Sequence, residues 1–409
     1  MALMEFLPFF DMMLDQPAEW LVVALPLIQA YTTAVFDVIK AAHGKVSLKD
    51  ARATILGEHW FALTGVKPED THFTVIIPVH NERDALPSVL GALLSSVIPC
   101  AADVQIIFVV NASEDDSAKI IRDRLARFGV PVDLALAPSA WDPTRTNEAF
   151  QVLLGSMRFI VVETPTGGKA NALNLGNEIA LQSGHKIAVN IDANNWIEPD
   201  SLAWMFEHAN RVIIENPESD VVLINSREFS QANNDRDPDT SREKTLKAEV
   251  TGWMFAWSTQ WIRENNGFPQ YAIEDYGTGL LALSQKKKIE ESHANVWGYS
   301  AANLGDENKE QIRYIYGALQ LKDRFKNDAD ATRILLGDFP ILRSWKDRLT
   351  YGLLRRQNWA RPVKFLRGLA RWALNEALIF QARIKYWRNP LGQTWEPVAS
   401  TKKARSSSS

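Results

Sequence analysis

The sequence predicts an α/β protein with a mainly parallel central sheet flanked by helices, and with helices added at both ends. Three observations predict it. Short β-branched runs recur between Phe73 and Asn225, most of them are followed by a stretch of helical periodicity, and the runs are apolar throughout rather than alternating. Strands of that kind are buried on both faces, as in a parallel sheet covered by helices on each side.

The elements follow in order. FTVIIPV (73–79) reads as the first strand, with helical spacing over 84–96 behind it. VQIIFVV (104–110) is the second, followed by a helix over about 115–128. RFIVVE (158–163) precedes the amphipathic KANALNLGNEIALQS (169–183), and KIAVNI (186–191) and DVVLIN (220–225) bracket a helix starting at Asp200. In such sheets ligands gather at the carboxyl ends of the strands, where strand order reverses. The residues just after each strand are therefore the candidates for function. Gln231 to Lys244 is a polar loop that reads as a lid over the cleft.

Around this series lie a helical N-terminal extension (1–70) and a basic helical region (331–409) ending in serines. Trp20 to Phe36 is the most apolar stretch, yet it contains Pro26 and Gln29; it reads as a packed or membrane-surface helix rather than a span. No basic segment followed by a small-residue cleavage site opens the chain, so a secretory signal is not expected. Cys100 is the only cysteine, which excludes an intrachain disulfide, a CxxC redox pair and a thiolate zinc cage. Together these predict a cytoplasmic location, peripheral on the inner face of the membrane.

The net charge of −4 conceals an asymmetry. From Ile341 onward there are 15 Lys+Arg against 3 Asp+Glu, leaving 30 against 46 in the preceding residues. A basic end on an acidic body suggests an anionic partner. Residues 362–388 intersperse Phe365, Leu369, Trp372, Leu378 and Phe380 with Lys364, Arg367, Arg371, Arg383, Lys385 and Arg388. This pattern suits a helix lying on an anionic membrane surface, and equally a helix docked on the body with snorkelling cations. Nucleic acid is not an expected partner, because no recognition module accompanies the basic residues.

Four strand-end clusters carry the chemical signal: Pro78-Val79-His80-Asn81-Glu82, Asn111 to Asp116, Gly167-Gly168-Lys169 opening a helix through Asn174, and Asp192-Ala193-Asn194. Rival motifs fail on spacing. Gly167-Gly168-Lys169 lacks the first glycine and the hydroxyl residue of a P-loop, no GxGxxG follows the first strand, and GxSxG is absent. Asp192-x-Asn194 lacks the glycine turn of a calcium loop.

The ordered clusters resemble the family-two inverting nucleotide-sugar glycosyltransferases with the GT-A fold. The family pattern of IIPxxNE, an acidic turn, GKAxALN, an Asp-x-Asp strand end, a Glu-Asp pair and a Gln-x-x-Arg-Trp segment is matched here. The matching stretches are IIPVHNE (76–82), NASEDD (111–116), GKANALN (168–174), DAN (192–194), Glu274-Asp275 and EQIRY (310–314). The resemblance spans Thr74 to Gly317. It implies a glycosyltransferase domain over 71–330, with a nucleotide-binding half at 71–226 and an acceptor half at 245–330.

What the resemblance implies about the site can be put residue by residue. Pro78, Val79, Asn81, Glu82, Asn111 and Asp115 would hold the base and ribose. Lys169 would face the diphosphate, and Asp192 with Asn194 would hold a divalent cation, Mn²⁺ or Mg²⁺. Asp275 would be the catalytic base, with Glu274, Arg313 and Trp253 on the substrate. The donor would be a nucleotide-diphosphate sugar and the acceptor a glycan or lipid-linked glycan, in surface polysaccharide or glycolipid synthesis. His293 is weighed as a further ligand and set aside as structural. Three departures restrain the picture. Asn194 replaces an acidic ligand, Asn111 stands where an aspartate is common, and Glu310 and Tyr314 replace the Gln and Trp associated with processive synthases. The expected enzyme is therefore non-processive. The alternatives are a degenerate domain that binds nucleotide or a partner without turnover and, less favoured, a nucleotidyltransferase.

Overall fold

The structure, a computed structural model, describes residues 59–98, 102–134, 149–154, 157–231, 250, 252–299, 304–339, 342 and 362–390. The apolar stretch 20–36, most of the predicted N-terminal extension, nearly all of the polar loop and the serine-ending tail lie outside the described residues.

Among the described residues a ten-stranded sheet organises the fold, in the order β3-β4-β5-β2-β1-β6-β9-β8-β10-β7. The strands are β1 (His72–Val79), β2 (Asp103–Asn111), β3 (Val132–Asp133), β4 (Ala149–Leu154), β5 (Met157–Thr164), β6 (Ile187–Ile191), β7 (Trp196–Ile197), β8 (Val221–Gln231), β9 (Met254–Ser258) and β10 (Lys288–Tyr299). The five strands expected from apolar runs are β1, β2, β5, β6 and β8. Parallel pairing joins β5-β2-β1-β6. Antiparallel β9 then sits between β6 and β8, so β8 and its parallel neighbour β10 point the same way as the core strands. Strand order reverses at β1, whose neighbours are β2 on one side and β6 on the other. The carboxyl ends of these strands therefore form the expected crevice.

The apolar runs are buried on both faces. Val75, Ile77 and Val79 of β1 join one core with Phe108, Phe206 and Trp60, while Ile76 joins the opposite core with Leu173 and Trp257. Full burial of such side chains contributes roughly 1.5–3 kcal/mol each, enough to hold β1 centrally without specific polar contacts. The helices covering the sheet include α1 (Leu86–Ser95), α2 (Ser117–Leu125), α3 (Lys169–Gln182) and α4 (Ser201–Ala209). Helix α3 lies so close to β1 that a Cβ on Gly176 would come within 2.6 Å of Ile76 Cγ2.

The second half of the chain adds α5 (Thr259–Glu264), α6 (Glu274–Ser284), α7 (Leu304–Arg324), α8 (Ala329–Asp338) and α9 (Pro362–Arg388). The basic helix α9 docks on α7: Leu378, Ile379 and Ala382 are buried with Ala272, Ile312, Ile315 and Tyr316. Tyr386 donates to Asp323 (3.0 Å) and Gln320 donates to the Pro390 carbonyl (2.9 Å), closing the same seam. The outer side of α9 keeps Phe380 and Trp387 exposed, at 65% and 83%. Among the described residues no helix is long and apolar enough to cross a membrane.

Candidate active site

Two successive strand ends curl into left-handed turns. Asn81, after β1, has φ 54°, and Ala112, after β2, has φ 47°; asparagine tolerates this region better than most residues. The turns lock together. Asn81 N–H donates to Ser113 Oγ (3.1 Å), Ser113 Oγ donates to the Val79 carbonyl (3.3 Å), and Glu114 N–H donates to Asn81 Oδ1 (2.8 Å). His80 Nδ1 donates to the Asn111 carbonyl (2.9 Å). Asp115 accepts from Arg83 N–H (3.1 Å) and Ser117 N–H (3.0 Å), and Glu82 N–H donates to Ser117 Oγ (3.0 Å). Asp115 thus braces the β1–α1 turn against the start of α2. The Val79 side chain is fully buried in the core, so only its main chain borders the crevice. Pro78 is half-buried on β1, and Asn111 is buried, with no hydrogen-bond partner for its Oδ1.

Charge concentrates at the next strand end. Gly168 takes φ 102° as the cap of α3, a conformation glycine supplies without strain, and Lys169 opens the helix. Its Nζ lies 2.6 Å from Asp192 Oδ1 and 3.3 Å from Glu274 Oε1, and donates to the Gly252 carbonyl at 2.8 Å. Asn190 Nδ2 donates to the same carbonyl (2.9 Å) and to Asp192 Oδ1 (3.3 Å). Asp275 completes the group: a Cβ on Gly252 would fall 2.2 Å from Asp275 Oδ2 and 3.7 Å from Lys169 Nζ. Lys169, Asp192 and Asp275, far apart in sequence, line one crevice.

The electrostatics follow from burial. Desolvation alone would lower the Lys169 pKa, but attraction from Asp192, Glu274 and Asp275 outweighs it and keeps the ammonium charged. Burial pushes Asp192 up against the pull of Lys169. Glu274 is driven from 4.5 to about 7, by burial first and by repulsion from Asp275 second, with Lys169 opposing. The crevice therefore holds a fixed cation beside a carboxyl whose pKa burial pushes up.

The segment around α6 is positioned by long-range contacts. Asn174 of α3 accepts from Phe268 N–H (2.6 Å) and donates to the Phe268 carbonyl (3.3 Å), holding the Gly267-Phe268-Pro269 turn that leads to α6. Asn177 accepts from Trp257 Nε1 (2.8 Å) on β9. Helix α7 meets the chain before Glu274 at Gly317, where a Cβ would be 2.5 Å from Ile273 Cγ1. Arg313, one turn earlier on the same face, is close enough for its charge to be raised in pKa by Tyr314, Glu274 and Asp275 against the cost of burial. Its Nε is buried without a hydrogen-bond partner. Trp253 is partly buried against the core, with Gly298 so near its ring that a Cβ would sit 2.9 Å from Cζ3, and its carbonyl accepts from Asp192 N–H (2.9 Å). Asn194 lies in the turn closed by Asn195 N–H on the Asp192 carbonyl (3.0 Å) and is half-buried.

Several contributions are not legible in the sequence. Gly252 accepts from both Lys169 and Asn190 and leaves room for Asp275, contacts that its place beside Trp253 does not announce. Asn174, which closes GKANALN, and Asn177 show their roles only once their partners in the turn before α6 and on β9 are seen. A group with metal-ligand chemistry, His72, Asp103 and His185, lies at the amino ends of β1 and β2, away from this crevice.

The family model described as Glycosyl transferase family 2 matches residues 74–132. This chain resembles family-two glycosyltransferases. The matched stretch holds β1, α1, β2, α2 and the interlocked turns, so the resemblance read from IIPVHNE and NASEDD is borne out, and with it the reading as a glycosyltransferase. No curated protein matches the chain. Among solved structures, the mannosyltransferase PcManGT from Pyrobaculum calidifontis, in complex with GDP-Man and Mn²⁺, is 16% identical, covers 90% of this chain and 93% of its own, and has a TM-score of 0.46. TarS 1–349 from S. aureus is 14% identical over 78% of this chain and 92% of its own, with a TM-score of 0.42. Its UDP-GlcNAc complex is 13% identical over 78% and 90%, with a TM-score of 0.39. Likeness this loose carries no substrate, cation or residue role to the present chain.

Proposed function

We propose that this protein is an inverting, non-processive glycosyltransferase that moves one sugar from a nucleotide-diphosphate donor to a glycan or lipid-linked acceptor hydroxyl. The observation that carries the reading is the meeting of Lys169 with Asp192 and Glu274 beside Asp275 at the carboxyl end of β6. A single displacement needs a base on the acceptor side and a cation on the leaving-group side. The acceptor oxygen forms a bond to the anomeric carbon while its proton passes to the Asp275 carboxylate. The bond to the diphosphate oxygen breaks and its electron pair stays on the nucleotide. Lys169, at the start of α3, meets that growing negative charge, and the helix's first main-chain N–H groups add to it.

Asp192 and Asn194 offer oxygen donors from one tight turn, the ligand class that Mg²⁺ and Mn²⁺ accept. A divalent cation held there would neutralise part of the diphosphate charge. The amide of Asn194 is a weaker donor than a carboxylate, which fits a modest metal requirement. The interlocked Asn81–Ser113–Asp115 turns support a nucleoside pocket beside Asn111. Trp253, packed beside Gly298, would border the acceptor side.

Incubating the purified protein with a panel of nucleotide sugars and candidate acceptors, with Mn²⁺ or EDTA, tests the reading. One donor should yield free nucleoside diphosphate and a product whose anomeric configuration is opposite to the donor's. A product of retained configuration would overturn the single displacement. Nucleotide binding insensitive to metal, with no turnover on any donor, would favour the degenerate domain that Asn111 and Asn194 suggest. The exposed Phe380 and Trp387, with exposed Arg383, Lys385 and Arg388 beside them, support peripheral attachment of α9 to anionic lipid. Phe380→Asp with Trp387→Asp should then abolish co-sedimentation with phosphatidylserine vesicles; unchanged binding would limit α9 to its packing role.

A further inference from the structure

We propose a second, structural metal site, of the zinc class, formed by His72, Asp103 and His185 at the end of the sheet opposite the crevice. His72 opens β1, Asp103 opens β2 directly beside it in register, and His185 lies in the turn from α3 to β6. With β1 rising about 3.3 Å per residue, this group stands roughly 25 Å from the carboxyl strand ends. It cannot be the site that Asp192 and Asn194 would form.

Asp103 Oδ2 is the common focus. It lies 3.3 Å from His185 Nε2 and 3.7 Å from His72 Nδ1, and the three donor atoms all fall within 4.8 Å of one another. Around a tetrahedral Zn²⁺, with nitrogen and oxygen ligands about 2.0–2.2 Å from the metal, neighbouring donors sit about 3.3–3.5 Å apart. The two distances to Asp103 are near that spacing already, and a small rotation of the exposed His72 ring would close the third edge.

The surroundings suit a ligand set. His185 is buried, and its other nitrogen, Nδ1, lies 2.8 Å from the buried Thr74 hydroxyl. That bond fixes the ring: without metal Nε2–H donates to Asp103 Oδ2 (3.3 Å) and Nδ1 accepts from Thr74, and in the metal-bound tautomer Nδ1–H would donate to the Thr74 hydroxyl and free the Nε2 lone pair for the ion. Outer bonds of this kind hold metal-binding imidazoles in their working tautomer. His72 and Asp103 keep 53% and 45% of their side chains exposed, giving an entry path and room for water in the fourth position. Two imidazoles and one carboxylate favour Zn²⁺ over Mg²⁺, which prefers oxygen alone. A bound ion would tie the α3–β6 turn to the starts of β1 and β2. Helix α3 begins at Lys169 and β6 ends just before Asp192, so the staple would secure the two elements that carry the charged centre.

The test uses the full chain, free of affinity tag and stripped with chelator. Zn²⁺ titrated by calorimetry into the Asp192→Asn variant should bind at one equivalent and raise the Tm, while Mg²⁺ should do neither. Co²⁺ should give the intense visible absorption of a four-coordinate ion. Because His72 is exposed, His72→Ala should fold normally, lose roughly tenfold or more in Zn²⁺ affinity, and lose the Co²⁺ band. Asp103→Asn should do likewise. Binding and Tm shift that persist unchanged in both variants, or no stoichiometric Zn²⁺ binding at all, would overturn the proposal. Neither outcome bears on the sugar-transfer reading, which is tested at the other end of the sheet.

Discussion

Along the side of the crevice proposed to take the nucleotide, Asn81, Ser113 and Asp115 sit in turns closed by bonds to nearby main chain. Across from it, Glu274 and Asp275 reach Lys169 and Gly252 only because α3, β9 and α6 converge. The first side is preformed by backbone geometry, so losing one side chain there leaves the rest of the turn standing. The second is an arrangement of charges in which each member sets the position and protonation of the others, so a single change propagates.

The largest effect should come from the acceptor side. Asp275→Asn removes the proposed base and should lower kcat on the order of a thousandfold, while calorimetry shows nucleoside diphosphate affinity nearly unchanged. Equal loss of nucleotide binding would mean that the two sides are not separable in this way. Gly252→Ala comes next. Its Cβ would meet Asp275 Oδ2 at 2.2 Å, and if Asp275 is the proposed base, displacing it by about 1 Å should cost on the order of a hundredfold. Steady-state kinetics should show the loss in kcat, with circular dichroism reporting an intact fold.

Glu274 tests the coupling through pH. Its folded pKa of about 7 lies above the ordinary 4.5, so between those values the folded protein keeps a proton that the unfolded chain has released. Stability from this group is therefore fully present below about pH 4.5 and is lost as pH rises through 7. Glu274→Gln cannot ionise. Urea unfolding should show its stability relative to the parent growing across that window, by up to about 3 kcal/mol at the alkaline end. A parallel pair of stability–pH curves would remove Glu274 from the coupled group.

The same contrast explains what could be read from the chain. Strands β1, β2, β5, β6 and β8 announce themselves because burial on both faces makes them continuously apolar. The turn residues follow directly from where those strands stop. Strand β10 was missed: KIEESHANVWGY mixes charge with apolar positions because it lies toward the edge of the sheet, beside the two-residue β7. Strand β9 was missed because MFAWS is short and follows a long polar stretch. Without β9 between β6 and β8, nothing places the Gly252 carbonyl beside Lys169, and Asn177 has no visible partner in Trp257. The His72, Asp103 and His185 group was equally hidden, since register between β1 and β2 brings the first two together and the α3–β6 turn supplies the third.

The smallest change probes the preformed side. Ser113 Oγ accepts from Asn81 N–H and donates to the Val79 carbonyl, pinning the left-handed residue after β1 to the turn after β2. In Ser113→Ala both bonds are lost, but Asn81 Oδ1 still accepts from Glu114 N–H and Asp115 still braces the next turn. With these bonds remaining and the site partly open to water, the cost should be about 1 kcal/mol. It should appear as a severalfold rise in KM for the donor with kcat little altered, because on the proposed reading the turn would touch the nucleotide equally in the ground and transition states. A large fall in kcat instead would show that the nucleotide turns and the charged centre move as one unit, and would erase the distinction between the two sides.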